Sequence, residues 1–149
     1  VGEELLFRGY GFQVLLHAAG PWWIIPISGA IFGLAHHDNI SASPLGLINT
    51  GLWGLVLGYS FYRSRDLWLP IGLHFGWNWI LPMMGANLSG FTFSLSGYTM
   101  EAKGQELWSG GAYGPEGSIL TTIVAVMLAI WLWKAKFGGA PDIEPEKEA

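Results

Sequence analysis

From Gly9 to His37 the chain carries no aspartate, glutamate, lysine or arginine, and the same holds from Asn39 to Tyr62, from Leu67 to Met100 and from Gly117 to Trp133. Only 12% of the residues are charged while 51% are hydrophobic; an average soluble domain has about 25% charged residues. In a chain of 149 residues a deficit of that size points to lipid rather than water as the solvent for much of the surface. The runs predict an all-α fold, a polytopic transmembrane bundle of about five helices.

Breakers inside the runs set the boundaries. Gly20-Pro21 divides the first into helix A, about 3–19, and helix B, about 22–37. Ser43-Pro44 opens helix C, about 44–62, with proline where a missing N–H costs little. Helix D follows Asp66, about 67–84, and helix E ends at Trp131-Leu132-Trp133, just long enough for a hydrocarbon core of about 30 Å. The 22 glycines suit close helix packing. GxxxG occurs at Gly29/Gly33, Gly54/Gly58 and Gly72/Gly76; roughly three pairs arise by chance at this content, so composition carries the signal and the motif adds little.

Residues 85–117 form a long glycine-rich connection, read as a solvated surface loop. Residues 138–149, GGAPDIEPEKEA, read as a disordered acidic tail that supplies most of the net charge of −4. The expected organisation is thus a core over 1–137 and a tail over 138–149. With the remainder near neutral there is no basic face for nucleic acid. The absence of cysteine removes disulfides, thiolate metal sites and cysteine nucleophiles. The start at Val1 reads as a cut inside a longer protein, with further helices expected before it. Arg63, Arg65, Lys134 and Lys136 fall on one face of an alternating bundle, which the positive-inside rule makes cytoplasmic.

An ionisable residue in a membrane helix is a functional-site hypothesis by default. Glu4 and Arg8 are one helical turn apart and can neutralise each other. Glu3 is left over and is a general-base candidate. His36 and His37 close helix B, where a histidine is often a cap against the dipole. His74 and Asn78 share a face inside helix D; interhelical hydrogen bonding is the plain account. His17, late in helix A, reads as structural or interfacial. If A and B are antiparallel, Glu3 and His36 sit at one level and His74 reaches it from within D. That set supplies a base for water and donors for an oxyanion.

EELLFRG, FGLAH and HFGWN, in that order on successive apolar spans, resemble the signature blocks EExxxR, FxxxH and HxxxN of the CPBP family. That family holds the CAAX prenyl protease type II enzymes and bacterial relatives that include bacteriocin-processing and self-immunity proteins. The resemblance covers about 3–80, at Glu3, Glu4, Arg8, Phe32, His36, His74 and Asn78. It implies an intramembrane endopeptidase, multi-pass in a bacterial cytoplasmic membrane, acting on membrane-associated protein or peptide substrates. Glu3 with His36 would activate water, His74 and Asn78 would stabilise the oxyanion, and Glu4, Arg8 and Phe32 would give structural support. The family is described both as metallo- and as glutamate peptidases. A divalent metal such as zinc would take His36, His74 and Glu3. HExxH is absent and asparagine is a poor zinc ligand, so no obligatory metal is expected.

Other classes fit less well. A rhomboid-like serine peptidase would pair Ser28 with His74, but Pro26 stands where its motif has glycine. An aspartyl peptidase needs two membrane aspartates, and Asp38, Asp66 and Asp142 lie in loops or tail. A transporter would show broken-helix repeats. A non-catalytic immunity or scaffold protein would not need the full polar set.

Overall fold

The computed structural model describes residues 1–137; the expected acidic tail lies outside the described residues. Among these are seven α-helices and no named strand: α1 (Gly2–Arg8), α2 (Tyr10–Ala19), α3 (Pro21–Leu34), α4 (Pro44–Ser64), α5 (Trp68–Met83), α6 (Glu106–Ser109) and α7 (Ile119–Lys134). Their starts follow local chemistry. Pro21 and Pro44 occupy first-turn positions of α3 and α4. The Ser43 hydroxyl accepts from the Gly46 N–H at 3.0 Å, and Asp66 Oδ1 accepts from the Trp68 N–H at 2.8 Å.

The expected all-α architecture is present, with helices B, C, D and E at α3, α4, α5 and α7. Helix A is corrected to two helices. Gly9 is extended, at φ −72° and ψ −152°, and a Cβ there would lie 2.1 Å from the Leu5 carbonyl oxygen. Only glycine admits that approach. Spanning length also differs from expectation. α3, α5 and α7 have 14, 16 and 16 residues, about 21–24 Å at about 1.5 Å per residue, short of a core of about 30 Å. α4 has 21 residues but buries Asn49, Thr50 and Ser60. No helix among the described residues is long and apolar enough to cross a membrane.

α4 is the central element. Phe12, Leu16, Ile24, Ile25 and Phe61 join α2, α3 and α4 in one core cluster, and Val56, Ala125 and Leu132 join α4 to α7. The α3–α4 crossing is made by glycine. A Cβ on Gly54 would lie 2.8 Å from the Gly29 Cα, and one on Gly33 would lie 3.1 Å from the Gly51 Cα. Two of the three GxxxG pairs therefore contribute to helix contact, beyond what composition implied. Gly72 and Gly76 have open space beside them.

The end of α4 meets the end of α7: Arg63 donates to the Trp133 and Ala135 carbonyls at 2.7 and 2.8 Å. A cation thereby satisfies carbonyls that a helix C-terminus leaves unpaired. Residues 85–117 are not merely a solvated loop. They include α6 and two 3₁₀ turns, Gly111–Tyr113 and Pro115–Gly117, and Tyr113 is 1% exposed.

Candidate active site

α1 places a charged pair inside the protein. Glu4 and Arg8 are both fully buried, and Arg8 Nη1 donates to Glu4 Oε1 at 3.0 Å, as their spacing predicts. Arg8 Nη2 donates to the Gly54 carbonyl at 2.9 Å. The guanidinium also lies 4.9 Å from the Phe32 ring centroid. One side chain thus pins α1 to both α3 and α4. Glu3, next along the helix, is turned outward with 53% of its side chain exposed.

His36 follows the last turn of α3. Its Nδ1 is 2.7 Å from the Phe32 carbonyl oxygen. A carbonyl only accepts, so Nδ1 carries the hydrogen and the neutral ring keeps its lone pair at Nε2. His37 makes the comparable bond to Leu34 at 3.1 Å and meets Asp38 at 2.9 Å on the exposed surface. The capping account suffices for His37. His36 differs in being half-buried and packed on Phe32, with ring centroids 4.7 Å apart.

His74, on α5, closes the arrangement. Its Nδ1 is 2.7 Å from Glu4 Oε1, and its Nε2 is 3.7 Å from Glu3 Oε2. Phe32 meets the same ring edge-on at 5.9 Å, so one buried phenylalanine touches Arg8, His36 and His74. Asn78 lies one turn beyond His74 on the same helix face.

Glu3, Phe32, His36, His74 and Asn78 line a single cavity of about 220 Å³. The sequence-predicted residues from α1, α3 and α5 are therefore brought together. Glu4 and Arg8 lie behind the wall. His17 lies in a different cavity, beside Tyr62 and Arg65. Among the described residues no group of three or more His, Asp or Glu side chains is placed to hold a metal ion. Of the residues expected to take a metal, His74 has its Nε2 3.7 Å from Glu3 Oε2 and its Nδ1 on Glu4, and His36 lines the same cavity.

Two features had no reading in the sequence. One is the bond from Glu4 to His74, which joins helices far apart in the chain. The other is a wall from the 85–117 connection: Leu88, Ser89, Phe91, Phe93 and Glu116 also line the cavity. The one available signal was Glu116 itself, a lone carboxylate within Gly-Pro-Glu-Gly-Ser.

A helical fold that turns a carboxylate, two imidazoles and a carboxamide onto one cavity has the equipment of a hydrolase that activates water. The chain belongs to the type II CAAX prenyl endopeptidase Rce1-like family, whose sequence profile matches residues 1–80. The match takes in every residue of the three signature blocks and stops short of Glu116. It is a family of peptidases whose members are integral membrane proteins. No curated protein and no solved structure matches the chain.

Proposed function

We propose that the chain is the catalytic core of an intramembrane endopeptidase that hydrolyses peptide bonds of membrane-associated substrates. The observation that carries the reading is the cavity onto which Glu3 from α1, His36 just past α3, and His74 and Asn78 from α5 converge. Glu3 is the base. It takes a proton from a water that His36 Nε2 also holds, and the water oxygen attacks the substrate carbonyl carbon. The developing oxyanion accepts hydrogen bonds from the Asn78 carboxamide and from His74 Nε2. Donation from both His74 nitrogens requires the imidazolium, and Glu4 and Glu3 supply its counter-charges. As the C–N bond breaks, the proton held by Glu3 passes to the leaving amine, which regenerates the carboxylate.

The exterior supports lipid contact. Trp22, Trp23, Trp68 and Trp133 are 67–77% exposed and lie toward the same end of the bundle as Arg63 and Lys134. Aromatic and basic residues collect at that level of a membrane protein, on the cytoplasmic side by the positive-inside rule. Helices shorter than the hydrocarbon core are accommodated by local thinning. On this reading the protein is a multi-pass protein of a bacterial cytoplasmic membrane. The test is cleavage of a panel of membrane-embedded peptides by the full chain in proteoliposomes, beside the Glu3→Gln variant. Cleavage by the parent alone supports the reading; equal cleavage by both, or by neither, overturns it.

A further inference from the structure

We infer that Glu116 is a positioning residue of this site: it clasps the turn Leu88–Phe91 over the cavity as a wall against which substrate is held. The inference rests on the hydrolase reading for its kinetics but not for its structural test.

The clasp has three arms. Glu116 is 8% exposed. Its Oε1 accepts from the Trp77 indole N–H at 2.9 Å. Its Oε2 accepts from the Ser89 backbone N–H at 2.5 Å and from the Ser89 hydroxyl at 2.8 Å. Hydrogen bonds to a carboxylate are roughly twice as strong as neutral ones. Glu116 is itself fixed from behind: the Asn49 carboxamide donates to the Glu116 and Ser118 carbonyls at 2.7 and 2.8 Å and accepts from the Thr122 hydroxyl at 2.6 Å. One buried carboxylate thus ties the α4–α7 core to the turn and to α5, at the residue before Asn78.

The turn is built to be held. Ser89 and Gly90 have φ of 49° and 85°. Leu88 and Phe91 exchange both backbone hydrogen bonds at 2.9 Å, the geometry of a tight two-residue hairpin. Gly90 donates to the Tyr113 carbonyl at 2.8 Å, and a Cβ there would lie 1.6 Å from the Ile40 carbonyl oxygen. The turn is therefore wedged against the segment that follows His36. It closes a side of the cavity that the helices leave open, and the proposed chemistry assigns none of its residues a role. A wall that touches bound substrate equally in ground and transition states alters KM rather than kcat.

The experiment uses the full chain in detergent micelles, with hydrogen exchange of the 88–93 segment and steady-state kinetics on a membrane peptide that the parent cleaves. Glu116→Gln keeps the size but presents N–H groups to donors. Exchange in 88–93 should rise while α4 stays protected, and KM should rise by about tenfold with kcat nearly unchanged. Trp77→Phe/Ser89→Ala removes two arms without touching Glu116 and should shift both readouts in the same direction. It carries the test if Glu116→Gln does not fold. Unchanged exchange in the folded variants overturns the clasp, and a fall in kcat at constant KM overturns the wall. If the parent cleaves nothing, exchange on adding the peptide to Glu3→Gln decides. Added protection of 88–93 that needs Glu116 leaves the clasp standing while the peptidase reading falls; no added protection overturns the wall.

Discussion

Glu4 Oε1 lies 2.7 Å from His74 Nδ1, across 70 residues of chain, and the same oxygen accepts from Arg8 at 3.0 Å. A pair that sequence spacing explains as mutual neutralisation is therefore also the orienting contact of a cavity-lining histidine. The arrangement separates two costs that would otherwise be confused. Arg8 keeps a buried charge compensated. Glu4 does this too, and it fixes which way the imidazole points.

Arg8→Ala should impair folding more than chemistry. It strands the Glu4 carboxylate at full burial, and breaking such a pair costs about 3–5 kcal/mol. Glu4→Gln/Arg8→Leu removes both charges and should restore expression in detergent. Turnover should stay low, by about 100-fold, the order that a misplacement of about 1 Å costs. A double variant that regains turnover along with expression would show that the Glu4–His74 bond does not position the ring.

Glu3→Gln should abolish hydrolysis while the protein still folds. Glu3 is 53% exposed and reaches α5 through a long 3.7 Å approach to His74, so the amide removes the base and weakens a contact too long to hold the fold. General-base catalysis contributes about 10²–10⁴-fold. Turnover should fall by at least about 100-fold at an unchanged melting temperature. Turnover like that of the parent would remove Glu3 from the mechanism.

The glycine pairs give opposite expectations for one substitution. Gly54→Ala pushes a methyl group against the Gly29 backbone, which cannot move aside. Overpacking of that kind costs about 1–3 kcal/mol. Gly72→Ala meets nothing within 4 Å and should stabilise α5 by about 0.5–1 kcal/mol. Denaturant unfolding in micelles reads both. Equal effects at the two positions would mean that the α3–α4 crossing does not depend on its glycines.

Local chemistry was legible in the sequence and distant pairing was not. Gly20-Pro21, Ser43-Pro44 and Asp66 bound their helices as their residue types predict, because a cap or a breaker acts within one turn. Glu4 and Arg8 pair because they are four apart. Gly9 gave no warning of a helix break, being one of 22 glycines with nothing in its local sequence to set it apart. The hairpin at Ser89-Gly90 was obscured for another reason. No alternating strand flanks it, so its partners are Ile40, Tyr113 and Glu116, and no periodicity relates those positions. The candidate residues come from pattern; their mutual distances come only from the fold.

Asn78 offers the sharpest distinction between chemistry and packing. It lines the cavity, one turn from His74, and no described neighbouring helix hydrogen-bonds its carboxamide. If it donates to the oxyanion it acts mainly in the transition state. Asn78→Ala should then lower kcat by about 100- to 1,000-fold with little change in KM. Asn78→Asp should be at least as harmful, because a carboxylate offers no donor and repels the developing negative charge. A packing role predicts the reverse pattern: Asp or Gln partly replaces Asn, and the loss appears as lower stability in detergent. Equal melting temperatures with collapsed turnover support the oxyanion role, while reduced stability with near-normal turnover of the folded fraction ends it.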